Sequence, residues 1–270
     1  MDADVDLNLY GERIGVLGPL SPDLSTLRKI QFGHSTNIPF ENLDVLLGQP
    51  ILLDIASLQG KLIEGSRGGY CFEQNGLMLE MLRAIGFDAV PLSGRVRIGV
   101  GRDFMPARTH LFIKVRLDGE DWLADGGVGG MSLTAPIRFV VDEEQETPHD
   151  RRRIVRENGV YYHQTRMGEE WVDVYEFTGE EMPLIDREVG NWWTSTNPRS
   201  KFKQSLFCAL ARPDGERIGL LDRTFTHRCG AEILRKIEID NISTLEKILS
   251  EEFGLDIPPG LDFGLWEGRG

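Results

Sequence analysis

The chain has 270 residues, 40% hydrophobic and 27% charged, a composition that excludes intrinsic disorder and suits a soluble globular protein. Its formal net charge of -13 argues against nucleic acid or anionic lipid as a partner, because phosphates are gripped by clustered Lys and Arg. An anionic ligand would need a local basic patch.

The chain opens Met1-Asp2-Ala3-Asp4-Val5-Asp6, acidic where an export signal carries positive charge, and no apolar segment of signal type follows. The first third reads as helical. Ser21-Pro22-Asp23 predicts an N-cap, a first-turn proline and an acidic first turn ahead of Leu24, Leu27 and Ile30 at helical spacing. A second helix is expected after Asp54, with Ile55, Leu58 and Leu62 on one face. A third starts near Cys71, carries Met78, Leu82 and Ile85, and stops at Gly86.

From Phe87 the pattern changes to period two. Leu111, Ile113, Val115 and Leu117 alternate with His110, Phe112, Lys114 and Arg116; Asp118-Gly119 is a two-residue hairpin signal, and Trp122-Leu123-Ala124-Asp125 supplies the returning strand. Further strands are expected to about residue 230, including a Pro213-Asp214-Gly215 turn. The run Asp142-Glu143-Glu144-Gln145-Glu146 followed by Arg151-Arg152-Arg153 reads as a solvated loop. A last helix is expected from a capping box of Ser243 and Glu246 to Gly254.

The uncharged apolar stretch from Leu206 to Ala211 is far shorter than the roughly 20 residues of a membrane span. Three cysteines without a C-x-x-C pair fit a reducing compartment, so a cytoplasmic location is expected. Cys208, inside an apolar run, reads as core. Cys229 near His227 lacks a second pair at ligand spacing, so no metal is expected.

Arg67-Gly68-Gly69-Tyr70-Cys71-Phe72-Glu73-Gln74-Asn75 places a cysteine where a glycine-rich turn enters a helix. The positive end of a helix favours thiolate, which makes Cys71 a candidate nucleophile; a buried inert cysteine is the competing reading. The hairpin decides between them. With Asp118-Gly119 as its loop, Leu117 faces Glu120, Phe112 faces Asp125 and His110 faces Gly127. His110 and Asp125 then share a face as diagonal neighbours about 7 to 8 Å apart at Cα, while Leu111, Ile113, Val115, Trp122 and Ala124 share the opposite, apolar face. A carboxylate on one ring nitrogen fixes the histidine tautomer, so the other nitrogen can exchange protons with a thiol and an attacking amine.

Thiolate formation alone gains little. Lowering a cysteine pKa from about 8.5 to about 6 raises the thiolate fraction at pH 7 roughly 30-fold, but a Brønsted slope near 0.45 removes roughly 13-fold in nucleophilicity. Positioning, oxyanion stabilisation and proton transfer must supply the rest. Gly126-Gly127-Val128-Gly129-Gly130 follows a strand but lacks the Lys-Ser/Thr ending of a phosphate loop, so it reads as a turn permitting close backbone approach.

Together with Tyr10 to Arg13-Ile14-Gly15, Ile38-Pro39-Phe40-Glu41-Asn42-Leu43, Gly94-Arg95-Val96, Thr109-His110, Asp125-Gly126-Gly127-Val128-Gly129 and Trp193-Thr194-Ser195-Thr196-Asn197-Pro198, the cysteine segment resembles the arylamine N-acetyltransferase family. The resemblance implies an α+β fold with a cysteine-protease-like Cys-His-Asp core: an N-terminal helical bundle (1–86), a central β-barrel-like domain (87–198) and a C-terminal α/β lid (199–270). It implies Cys71, His110 and Asp125 as catalytic triad, a buried Arg67–Glu41 pair, an amine pocket at Phe40, Val96 and Val128, and contacts of Thr109 and Gly129 with the pantetheine of CoA. Acetyl-CoA would be the cosubstrate, an arylamine or hydrazine the acceptor, and an oligomer is compatible. The family usually has an aromatic residue in place of Val128, and Val or Ala in place of Gly126. Competing expectations are a transglutaminase-like or papain-like thiol hydrolase, an amide synthase closing a polyketide onto an aromatic amine, and a non-catalytic binding protein on the same fold.

Overall fold

The computed structural model describes residues 5–257 and Phe263; residues 1–4 of the acidic N-terminus and the end of the expected lid lie outside the described residues. The N-terminal region holds α1 (Leu7–Ile14), α2 (Leu24–Asn37), a short strand β1 (Phe40–Glu41), α3 (Leu43–Leu46), α4 (Ile55–Gln59) and α5 (Cys71–Ile85). Asp6, Asp23 and Asp54 cap α1, α2 and α4 through their carboxylates. The α2 cap is therefore Asp23, not Ser21: Asp23 Oδ1 accepts from Thr26 N–H at 2.8 Å, and Pro22 lies before the helix. Leu62 falls in a wider π-helical turn, Gly60–Glu64, that continues α4. Helix α5 ends at Gly86, left-handed at φ 106, as its sequence requires.

The central region is an antiparallel sheet of β2 (Asp88–Val96), β3 (His110–Leu117), β4 (Glu120–Ala124), β5 (Ile137–Arg138), β6 (Gln145–Glu146), β7 (Arg151–Glu157), β8 (Val160–Met167) and β9 (Glu170–Glu181), in the order β5-β4-β3-β2-β9-β8-β7-β6. Asp118 (φ 51) and Gly119 (φ 84) turn the β3–β4 hairpin with both residues left-handed, the geometry whose twist matches the strands. Leu117 pairs with Glu120 and Ile113 with Ala124, the expected register. Ile113, Val115, Trp122 and Ala124 pack against Leu77, Met78, Met81 and Leu82 of α5. The other face is no more solvated at this end: Phe112 and Leu123 pack with Tyr175 and Phe177. Leu111 leaves its expected companions and joins Cys71, Phe72 and Phe40 in a separate cluster.

Two expectations fail here. Arg151-Arg152-Arg153 is not a solvated loop but the start of β7, with Arg152 fully buried on Asp150. The stretch after β9 is not strand but α6 (Leu184–Thr196), followed by α7 (Lys201–Gln204). In α6 the buried residues are Gly190, Asn191 and Thr194, while Ile185, Val189 and Trp192 are exposed. The hydrophobic period therefore marks the solvent face and misdirects a reading by pattern.

The C-terminal region is β10 (Phe207–Ala211), β11 (Glu216–Leu221), β12 (Thr224–Cys229), β13 (Glu232–Glu238) and α8 (Ile242–Glu251). Gly215 closes the expected turn between β10 and β11. Asn241 caps α8 through Thr244 N–H, so Ser243 lies inside the first turn. Strand β1 pairs with β10, which stitches the N-terminal segment to the C-terminal sheet. Cys208 is buried in the core under α8, as expected.

Candidate active site

Cys71 is the first residue of α5, so it stands at the positive end of a 15-residue helix. The turn before it is held from both sides. Arg67 Nη2 donates to Glu41 Oε1 at 2.8 Å and to Asp44 Oδ1 at 2.9 Å, and Lys61 bridges Asp44 and Glu73, each at 2.7 Å. Glu73 Oε2 accepts from Tyr70 N–H at 3.1 Å and so caps the helix start. The Arg67–Glu41 pair is present, with Glu41 buried.

His110 is the first residue of β3, and Asp125 lies just past the end of β4. The β3–β4 ladder stops at Ile113 and Ala124. The chain leaves the sheet at Asp125, and the pairings expected for Phe112 and His110 are not made; His110 pairs with Gly94 of β2 instead. The side chains still meet, with His110 Nε2 2.9 Å from Asp125 Oδ2. Both are buried, at 1% and 0% exposure. Asp125 Oδ1 accepts from Asn75 Nδ2 and from Gly127 N–H, each at 2.8 Å. Cys71 acts on the His110 ring as well, through its charge and as a hydrogen-bonding side chain. Cys71 Sγ is also 3.4 Å from Thr109 O, to which the thiol donates.

Burial disfavours the charged imidazole of His110, but the adjacent Asp125 charge, its hydrogen bond and Cys71 outweigh burial and raise the pKa to about 10. Burial would raise Asp125; the His110 charge and the Asn75 and Gly127 donors hold it below the usual carboxylate range. The arrangement favours imidazolium between a thiol sulfur and a carboxylate, and can pass a proton to or from a group bound at Cys71.

The glycine-rich turn does permit close approach, and what approaches are the protein's own helices. A Cβ on Gly127 would stand 2.7 Å from Cys71 Cα, and one on Gly126 would stand 2.7 Å from the His34 ring. His34 is fixed there by Tyr10 Oη at 2.9 Å and Gln74 Oε1 at 2.6 Å.

The remaining expected site residues divide. Phe40 packs in one cluster with Cys71, and its ring lies under Gly129, where a Cβ would stand 3.5 Å away. Val128 is 7% exposed and, with half-buried Val96, packs in the cluster around Phe112. Thr109 lines a cavity of about 360 Å³ between the β2–β3 loop and α6, with Arg108, Met182, Gly190 and Trp193; Phe40, Val96, Val128 and Gly129 do not line it. Sequence reading missed Asn75, although its position four residues after Cys71 puts both on one helix face. It also missed Gln31, whose Oε1 accepts from Asp125 N–H at 2.8 Å. Among the described residues no group of three His, Cys, Asp or Glu side chains is placed to hold a metal ion, and no helix is long and apolar enough to cross a membrane.

Comparison with known proteins identifies the family. The model of an N-acetyltransferase family matches residues 23–261. The chain is 40% identical over 258 residues to the arylamine N-acetyltransferase of Mycolicibacterium smegmatis, covering 94% of this chain and 93% of that one. The structure of the arylamine N-acetyltransferase from Salmonella typhimurium superimposes with a TM-score of 0.89 at 35% identity, over 96% of this chain and 95% of that one. That of the Mycobacterium marinum enzyme in complex with CoA does so with a TM-score of 0.88 at 33% identity, over 93% of both chains. By sequence and by fold, the chain belongs to the arylamine N-acetyltransferase family and is an acyltransferase.

Proposed function

We propose that this enzyme moves an acetyl group from acetyl-CoA to an arylamine or hydrazine through an acetyl-Cys71 thioester, with His110 and Asp125 completing the triad. The observation that carries the reading is the buried His110 Nε2–Asp125 Oδ2 contact of 2.9 Å beside a cysteine at a helix start. The Cys71 thiolate attacks the thioester carbonyl of acetyl-CoA, the C–S bond to CoA breaks, and the His110 imidazolium protonates the departing CoA thiolate. The amine then attacks acetyl-Cys71, His110 Nδ1 takes the amine proton, and the Cys71 thiolate leaves. Arylamines suit the second step because they are largely unprotonated at neutral pH. Burial of the triad limits competing hydrolysis. A CoA complex of a relative supports the donor.

Phe40, Val96 and Val128 are assigned to the amine side and Thr109 and Gly129 to the pantetheine side, supported by the Phe40–Gly129 and Thr109–Cys71 contacts. We further propose a division into a helical bundle (1–86), a barrel-like domain (87–198) and a lid (199–270), supported by the separation of the strands into two sheets, with β1 pairing in the C-terminal one. Three free cysteines fit a cytoplasmic setting.

Intact mass after addition of acetyl-CoA tests the reading. One acetyl adduct on Cys71 is expected, and parallel double-reciprocal plots at several amine concentrations should follow. No adduct would favour a thiol hydrolase or a binding protein, and intersecting lines would count against the covalent intermediate.

A further inference from the structure

The turn that follows Asp125 is gripped by three arginines from two different sheets. Arg228 of β12 donates from Nη2 to Gly130 O at 2.8 Å. Arg152 of β7 donates from Nη1 to Met131 O at 2.9 Å and from Nη2 to Ser132 O at 3.3 Å. Arg217 of β11 donates from Nη2 to the same Ser132 O at 3.0 Å. The next carbonyl, Leu133 O, accepts from Gln31 Nε2 at 2.8 Å and Ser35 Oγ at 2.7 Å of α2. Four consecutive carbonyls are thus held by side chains from four separate elements.

Such a turn has no sheet neighbour to satisfy it, so its carbonyls need donors from elsewhere. Neutral donors would suffice for that need. Instead three guanidiniums converge, with Arg152 and Arg217 buried at 0% and 4% exposure, and one carboxylate, Asp150, pairs with both of these at 2.5 and 2.9 Å. Burying two like charges over one counter-charge is costly, and charge-assisted bonds in a fixed fork return positional precision. Arg228 is only half-buried and holds Gly230 O with Nη1 at 2.7 Å, which ties the turn to the end of β12.

The clamped residues begin immediately after Gly129, whose backbone lies over the Phe40 ring, and two residues after Val128. A shift of Gly130 O therefore changes the gap between this backbone and Phe40. The Asp125 carboxylate is less affected, because its Oδ1 is held by Asn75 Nδ2 of α5 and by Gly127 N–H, neither of which touches the clamped carbonyls.

The geometry points to Arg152, Arg217 and Arg228 as positioning residues that hold the turn carrying Val128 in place, with its Gly129 backbone over the Phe40 ring, and thereby set the choice among acceptor amines, which meet Phe40 and Val128. The inference rests on the acetyl-transfer reading above. The turn is located by both sheets at once, so the barrel-like domain and the lid jointly fix the acceptor wall.

The test uses the full-length enzyme and its Arg228→Met and Arg228→Lys variants, with two readouts: the rate of acetyl-Cys71 formation by intact mass, and the kcat/KM ratio for an aniline against a bicyclic arylamine. In Arg228→Met the ratio should move by about 5- to 30-fold, with amine KM rising more than kcat falls, while Cys71 acetylates at the wild-type rate. Arg228→Lys, which retains one charged donor, should recover part of the ratio. An unchanged ratio in Arg228→Met overturns the clamp, as does loss of Cys71 acetylation in parallel with the amine step, which would be general damage. Should Arg228→Met not fold, Arg217→Lys carries the same test, because it removes the guanidinium Nη2 that donates to both Ser132 O and Asp150 and keeps a charge beside Asp150. Absence of an adduct on wild-type Cys71 would refute the acetyl-transfer reading itself; an adduct with an unchanged ratio would refute the clamp alone.

Discussion

Asn75 and Asp125 are joined by a 2.8 Å hydrogen bond from Nδ2 to Oδ1, and the side-chain Oδ1 of Asn75 accepts from Gly126 N–H at 2.9 Å. Asn75 lies four residues after Cys71 on α5, so one helix positions both the nucleophile and the carboxylate that orients His110. Asn75→Ala should therefore lower kcat more than it raises KM. Removing a hydrogen bond to a charged group costs about 1.5 to 3 kcal/mol, or roughly 10- to 100-fold in rate if all of it is lost in the transition state. Steady-state kinetics checks this; a pure KM effect would remove Asn75 from triad support.

Asp125→Asn should nearly abolish transfer with the fold largely retained, because an amide can hold His110 in the wrong tautomer and cannot stabilise imidazolium. With the carboxylate charge gone, burial becomes the dominant influence on His110 and its pKa falls. Alkylation of Cys71 by iodoacetamide at neutral pH should slow accordingly. Retention of more than about a tenth of wild-type transfer would contradict tautomer control, which is worth several orders of magnitude.

Stability should decline on both sides of neutrality. Burial lowers His34 to about 4, and burial with the Arg152 charge lowers His163 to about 3. Both fold neutral, so below the ordinary histidine value near 6.5 the unfolded chain binds more protons, and stability falls as pH drops toward these values, by about 1.4 kcal/mol per pH unit for each group. His110 has the opposite sign: its raised pKa contributes stability in full below about 6.5, lost as pH rises to about 10. Urea midpoints across pH 4 to 10 check this; His163→Gln should flatten the acid limb and Asp125→Asn the alkaline one.

Val128→Phe tests the acceptor wall directly. Val128 is packed among Phe112, Leu133 and Phe177, so a larger ring costs about 1 to 3 kcal/mol of stability by overpacking. The ring should still narrow the pocket, improving kcat/KM for small anilines and penalising bicyclic amines, with a ratio shift of roughly 10- to 200-fold. An unchanged ratio with normal acetylation of Cys71 would remove residue 128 from the amine site.

Gly126→Ala should be destabilising although alanine is small. The added methyl meets the buried His34 ring at 2.7 Å, and that ring is pinned by Tyr10 and Gln74. A loss of about 1 to 3 kcal/mol is expected. A double-mutant cycle with His34→Ala should show coupling; additive losses would mean that the two sites do not press on one another.

The sequence by itself determined the helix that begins at Cys71 and the Asp118-Gly119 hairpin with its register as far as Ile113 and Ala124, whereas the meeting of His110 with Asp125 beyond the end of that ladder was left to packing. The helix and the hairpin depend on local signals: a glycine at a left-handed stop, a two-residue turn, and alternation along two adjoining strands. Its family motifs also led to the family that the comparisons show. Tertiary structure alone decided what local signals do not encode. The α2 and α8 caps went to Asp23 and Asn241 because several polar residues compete at each helix start and packing selects among them. Helix α6 escaped notice because its buried face is Gly190, Asn191 and Thr194, and Arg152 read as solvated because only strands distant in sequence supply Asp150 with Arg217 and bring all three to the Ser132 turn. Charge burial and backbone clamping depend on which distant segments meet, and that information resides in the packed chain.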